Sequence, residues 1–134
     1  MSEEHLRIVR GAFEAWNRED LDWFDGRVAP EYELRPYPGF LDLDEIYHGL
    51  EGFKRFWGTW RDAWDDIAVT VSRIESFGDE EVLALTTFDG RGRGSGAETS
   101  LEVGTIFKFR GEMILRFDAL PSWAEALEAA GLPD

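Results

Sequence analysis

The chain has no cysteine in its 134 residues, which excludes disulfides, thiolate nucleophiles and cysteine-based metal sites together and fits a reducing compartment. It is also poor in lysine, with only Lys54 and Lys108, and its 14 basic residues face 28 acidic ones for a formal net charge of −14. Nucleic-acid phosphates and anionic membrane surfaces are held by clustered Lys and Arg, so this balance argues for no nucleic-acid and no membrane partner. Both halves of the chain are acidic, which leaves no basic lobe hidden in the average. No apolar run approaches the roughly 18 residues needed to span a bilayer, and no charged-then-apolar leader is present. The expected location is the cytoplasm. The two histidines, His5 and His48, are far apart, and no His-x-x-x-His or Glu-x-x-His spacing occurs. No metal site and no cofactor are expected.

What the chain does have is aromatic surface. Apolar residues make up 43% of it and aromatics 14%, with six Trp and ten Phe, enough to build one core in one domain despite the charge. There is no internal repeat, low-complexity tract or Ser/Pro-rich linker. Leu6, Val9, Phe13 and Trp16 recur at helical spacing up to about residue 18, behind an N-terminal Ser2-Glu3-Glu4 that suits a helix start. Asp20 can cap a second short helix carrying Leu21, Phe24 and Val28, ended by Pro30. Residues 31–36 alternate, with Tyr32 and Leu34 on one face, and read as a short edge strand. From Pro36 an irregular loop runs to about His48, long enough to suggest function.

Phe53, Phe56, Trp57, Trp60 and Trp64 then fall at i, i+3, i+4, i+7 and i+11, one face of a helix over residues 50–65. Extended segments are predicted at 67–77, 81–90, 99–110 and 113–119, with turns at Gly78-Asp79 and Arg110-Gly111-Glu112 that make neighbours antiparallel. Ser122-Trp123-Ala124-Glu125 has the form of a capping box, and Gly131 ends the short helix it opens. The predicted fold class is α+β: helices gathered on one side of a curved antiparallel or mixed sheet, with a hollow between them.

Several segments carry a family resemblance. Ala15-Trp16-Asn17-Arg18-Glu19-Asp20-Leu21 closes the first helix, and Ala29-Pro30-Glu31-Tyr32-Glu33 enters the first strand. Tyr47-His48-Gly49-Leu50-Glu51-Gly52-Phe53 leads into the aromatic helix, Arg116-Phe117-Asp118-Ala119 lies on the last strand, and residues 125–132 read Glu-Ala-Leu-Glu-Ala-Ala-Gly-Leu. In this order the chain resembles the nuclear transport factor 2-like superfamily, in its SnoaL-like (polyketide cyclase-like) branch, over nearly its whole length. The resemblance implies a cone-shaped pocket for a small-molecule ligand, usually in a homodimer formed through the sheet. It does not imply one reaction, since this fold hosts isomerases, dehydratases, cyclases, hydrolases and non-catalytic binders.

Within that resemblance a ketosteroid-isomerase activity is excluded. Arg35 stands where the base belongs, and Ala12 and Thr105 stand near the positions of the two oxyanion donors. Asp118 is the remaining catalytic candidate, the nearest match to the acid/base near the end of the last strand in SnoaL-like cyclases. Strand alternation groups Ile114, Arg116 and Asp118 on one face and the more apolar Met113, Leu115, Phe117 and Ala119 on the other. By that grouping Asp118 is solvated or paired with arginine, and its catalytic use requires it to face the aromatic pocket instead, where desolvation would raise its pKa. Glu98 and Glu102 are lesser substitutes. His48 reads as a loop or capping residue, and His5 as part of an exposed first turn.

The run Gly90-Arg91-Gly92-Arg93-Gly94-Ser95-Gly96 joins two antiparallel strands and lacks the Gly-Lys-Ser/Thr of a phosphate loop, so it reads as a hairpin tip. Arg91 could meet an acidic ligand at the pocket mouth. The candidate ligand-binding set is Trp16, Tyr32, Tyr37, Phe40, Phe56, Trp57, Trp60 and Arg91. The aromatic stripe serves the core first, at about 1.5–3 kcal/mol per fully buried large side chain. Its several Trp N–H groups, with the Tyr hydroxyls, would orient a largely apolar or polycyclic ligand. A non-catalytic, homodimeric interaction module with a vestigial pocket is the competing reading.

Overall fold

A computed structural model describes residues 2–39 and 43–134. Helix α1 (Ser2–Arg18) leads through a 3-10 turn (Leu21–Phe24) to strand β1 (Val28–Arg35). The two-residue strand β2 (Tyr47–His48) opens directly into helix α2 (Gly49–Asp62). Strands β3 (Trp64–Phe77), β4 (Glu81–Gly92), β5 (Glu98–Arg110) and β6 (Met113–Leu120) follow as hairpins, and helix α3 (Trp123–Ala130) closes the chain. The sheet order is β2-β1-β6-β5-β4-β3. All neighbours are antiparallel except β1 and β6, which run parallel and make the sheet mixed.

The predicted elements form, with two displaced boundaries. Val28 and Pro30 belong to β1 and not to a second helix. Proline lacks the N–H a ladder needs, and it is accommodated because pairing with β6 shifts register between Val28 and Glu33. Trp64 belongs to β3 and not to the aromatic helix, although it stays buried and packs on Trp60 and Phe88. A helical face and the first inward position of the next strand point into the same core, so apolar periodicity alone did not separate them.

Alternation along β4 divides the molecule into two layers. Val82, Ala84 and Phe88 join the main core under α1 and α2, while Leu83 and Leu85 pack with Ala126 and Leu127 of α3 on the opposite face. Helix α3 sits close enough that a Cβ on Gly104 would lie 2.3 Å from that of Ala126, so a side chain there would push the helix off. Ser122 caps α3 by accepting from the Glu125 N–H at 3.1 Å, and Gly131 ends it at φ 70°.

His5 departs from expectation. It is 1% exposed, stacks on Phe109 at 4.2 Å between ring centroids, and donates from Nε2 to the Gly111 carbonyl at 2.6 Å. The first turn of α1 is covered by the β5–β6 hairpin, a long-range contact with no local signal. Among the described residues no helix is long and apolar enough to cross a membrane, and no cluster of His, Asp and Glu forms a metal centre.

Candidate functional site

Between the helices and the inner face of the sheet lies a cavity of about 100 Å³. Its walls come from both helices and the sheet: Ala12, Phe13 and Trp16 of α1, Tyr32 and Leu34 of β1, and Phe53, Phe56 and Trp60 of α2. The sheet adds Val69, Thr86, Phe88, Val103, Thr105, Phe107, Ile114, Phe117 and Ala119. Strands β4 and β5 contribute alternate residues, as a pleated sheet must. Strand β6 does so only after a correction to the expected alternation. Lys108 pairs with Arg116 but Phe109 pairs with Ile114, so Leu115 is bulged out and Ile114 joins Phe117 and Ala119 on the cavity side.

The surface presented to the cavity is almost entirely carbon. Among the described residues, no carboxylate, histidine, lysine or arginine is part of its lining. Thr86 and Thr105 have their hydroxyl protons committed to the carbonyls of Val103 and Ala84, at 2.8 and 3.0 Å. The Tyr37 hydroxyl donates to the Pro121 carbonyl at 3.4 Å. Tyr32 is 4% exposed, and its pKa is pushed up by burial first and by the charge of Asp118 second. It is therefore a neutral phenol at any ordinary pH.

Of the predicted ligand-binding residues, Trp16, Tyr32, Tyr37, Phe56 and Trp60 line the cavity. Trp57 does not. It is buried behind Trp16, which meets it edge-to-face at 4.3 Å, so it props the wall without forming it. Arg91 is also elsewhere. It lies in an outer polar groove with Asp66, Asp89 and Glu98 and pairs with Asp66. Phe88 and Gly90 take the inward positions, and a Cβ on Gly90 would crowd Phe88 and Trp64 at 2.9 and 3.1 Å. Phe40 lies outside the described residues.

Asp118 is absent from the cavity lining. Its carboxylate accepts two hydrogen bonds from Arg116 Nε, at 2.9 and 3.1 Å, and lies 3.7 Å from the Arg35 guanidinium, which also pairs with Glu33 at 3.0 Å. The outer face of the sheet thus holds it in an ion-pair cluster, as strand alternation from Phe117 and Ala119 requires. Sequence reading missed Phe107, Phe117, Phe88 and Phe13 as cavity walls. Inward parity on their elements was the available signal, but it does not distinguish a cavity wall from solid core.

A mixed sheet wrapped on one side by α1 and α2 around an apolar cavity defines a nuclear transport factor 2-like α+β protein. A family model for the SnoaL-like domain matches residues 9–117, and the chain belongs to this family. No curated protein matches it. Among solved structures it is similar to a nuclear transport factor 2-like protein of unknown function from Burkholderia pseudomallei, at 18% identity and TM-score 0.79, covering 95% of this chain and 97% of that one. It is also similar to a putative SnoaL-like polyketide cyclase from Jannaschia, at 14% identity and TM-score 0.77, covering 98% and 94%. TerC, co-crystallised with polyporic acid, matches at 14% identity and TM-score 0.77, covering 95% and 97%. At such identities the likeness concerns the fold.

Proposed function

We propose that this protein binds a small, uncharged, predominantly apolar molecule in the cavity between α1, α2 and the sheet. One observation carries the reading: the described residues wall the cavity with aromatic and aliphatic carbon, and none of them other than tyrosine is ionisable. An ion placed there would lose its hydration without compensation, whereas apolar surface gains about 25 cal/mol per Å² on burial. Size narrows the class. A cavity of roughly 150 Å³ lined by apolar side chains holds one benzene, so about 100 Å³ sets one small ring as the upper bound, and a polycyclic ligand would require the walls to part. The co-crystallised relative TerC supports small-molecule binding on this fold.

A cyclase- or isomerase-type step, as the SnoaL-like relatives suggest, needs a group that moves a proton at the ligand. Among the described residues the lining holds no carboxylate, histidine or lysine to do this, and Asp118 would have to leave Arg116 and Arg35 to serve. Binding without catalysis is the better-supported function. A homodimer belongs to the same proposal on the strength of the family resemblance.

The test is native mass spectrometry of the purified protein, comparing gentle and denaturing spectra. A small molecule released on denaturation supports the reading. A chain that carries none, and that binds none of a panel of one-ring apolar compounds, favours an interaction module with a vestigial cavity.

A further inference from the structure

The walls of the cavity are not equally deep. Leu34, Phe53, Thr86 and Thr105 are buried, whereas Phe13 of α1, Phe117 and Ala119 of β6, and Pro36 and Tyr37 beyond β1 are half-exposed. The parallel pairing of Leu34 with Phe117 and Arg35 with Asp118 brings Pro36 and Tyr37 to the same end of the sheet as Ala119. Residues there touch both the cavity and solvent, so this end is its mouth. Trp16 and Val69 are half-exposed as well, on the seam between α1 and β3. That seam is fastened, because the Asn17 amide makes two hydrogen bonds of 2.9 Å with the Val69 backbone.

The mouth differs in what holds it. Among the described lining residues, all but Pro36 and Tyr37 lie in a helix, a strand or the 3-10 turn, and moving them disturbs a ladder or a helical turn. The sequence Pro36-Tyr37-Pro38 explains the exception. Neither proline can donate to a ladder, and Pro38 disfavours a helical backbone at Tyr37. Tyr37 therefore moves most cheaply by rotating its own side chain, a fast motion for a half-exposed residue. Swinging outward breaks the bond from its hydroxyl to the Pro121 carbonyl, just past β6. At 3.4 Å that bond is longer than the roughly 2.7–2.8 Å of a full-strength O–H···O contact, so the cost of breaking it is small.

We propose that Tyr37 is the gate of the cavity: a ligand enters and leaves when the Tyr37 ring swings away from Pro121. This deepens the apolar-ligand reading and rests on it. The hydroxyl bond belongs to the closed protein whether empty or filled. It therefore sets how often the mouth opens and leaves the affinity of the cavity alone.

The experiment follows fluorobenzene, a single small ring, by ¹⁹F saturation-transfer NMR, which gives association rate, dissociation rate and Kd on one sample. The proteins are the wild type, Tyr37→Phe, Tyr37→Ala and Asn17→Ala. Tyr37 is half-exposed and outside every helix and strand, so its variants keep the fold. Expected in Tyr37→Phe is an equal rise in both rates, about two- to fivefold, the size of one weak neutral hydrogen bond. Its Kd should stay within about twofold of the wild type. Tyr37→Ala should associate faster still, and Asn17→Ala at the wild-type rate. Unchanged association rates in both Tyr37 variants would overturn the gate, and so would a Tyr37→Phe variant that only binds more weakly, as a plain wall contact would. A larger acceleration in Asn17→Ala than in Tyr37→Phe would overturn it too, by moving the entrance to the α1–β3 seam. Each of these outcomes leaves the apolar cavity standing. Failure of fluorobenzene to bind any of the four proteins would overturn the apolar-ligand reading and the gate with it.

Discussion

The side-chain amide of Asn17 pairs with the main chain of Val69 as a strand would: Nδ2 donates to the Val69 carbonyl and Oδ1 accepts from the Val69 N–H, both at 2.9 Å. Val69 lies on β3, the edge strand, whose outward backbone groups have no sheet neighbour at this point. One amide therefore satisfies both groups, ties the end of α1 to the sheet and holds Trp16 and Val69 in the cavity wall. Asn17→Ala is expected to cost about 1–2 kcal/mol in urea unfolding, the range for two hydrogen bonds at an accessible site. Asn17→Asp should be at least as damaging, because a carboxylate cannot donate to the Val69 carbonyl.

Tyr32→Phe should change stability at neutral pH by less than about 1 kcal/mol, since it keeps the buried ring and no hydrogen bond to the hydroxyl acts on it. Its pH dependence has a definite sign. The folded pKa of Tyr32 is raised above its ordinary 10.0, so above that pH the unfolded chain releases a proton that the folded chain retains. The Tyr32 contribution is complete below pH 10 and declines as pH rises further. Unfolding measured from pH 9 to 11 should show the wild type losing more stability than the variant.

Glu31 accepts two parallel hydrogen bonds from Arg110, at 2.7 and 2.8 Å, across the intervening strand β6. That pairing holds the Glu31 carboxyl down at about 2, against an ordinary 4.5. The folded pKa is depressed, so the pair's contribution is present above pH 4.5 and is lost as pH falls toward 2. Carboxyl NMR titration should place the Glu31 midpoint near the lower value. Arg110→Gln should return it toward the ordinary one, and the stability gap between wild type and variant should close over the same window.

Asp118→Asn distinguishes a group at the ligand from a structural ion pair. The structure predicts unchanged ligand affinity, within about twofold, because Asp118 does not line the cavity. Stability should fall, because Arg116 and Arg35 lose a shared partner. Calorimetric titration with thermal unfolding on the same samples checks both halves.

The element order, the turns at Gly78 and Gly111 and the cap of α3 were legible in the sequence because they rest on local chemistry. A glycine at positive φ, a serine before a helix and an apolar period of 3.6 act over a few residues. The candidate site was legible in part for the same reason. Tyr32, Phe56 and Trp60 lie on the apolar faces of their elements, and those faces meet at the cavity. Trp57 shares the helical stripe but points at Trp16, and periodicity cannot tell a wall from the residue behind it. Ile114 defeated alternation because a bulge at Leu115 reverses the parity of β6.

The sequence by itself determined an aromatic-rich, acidic, cysteine-free α+β chain with a SnoaL-like order of elements, since composition and short-range periodicity are properties of the chain alone. Only the tertiary structure decided that Arg35 joins Arg116 at Asp118, that His5 is covered by the Gly111 turn, and that the described residues around the cavity present carbon to it. These depend on sheet register and on contacts between residues more than eighty positions apart, and no local pattern encodes the face such a partner will present.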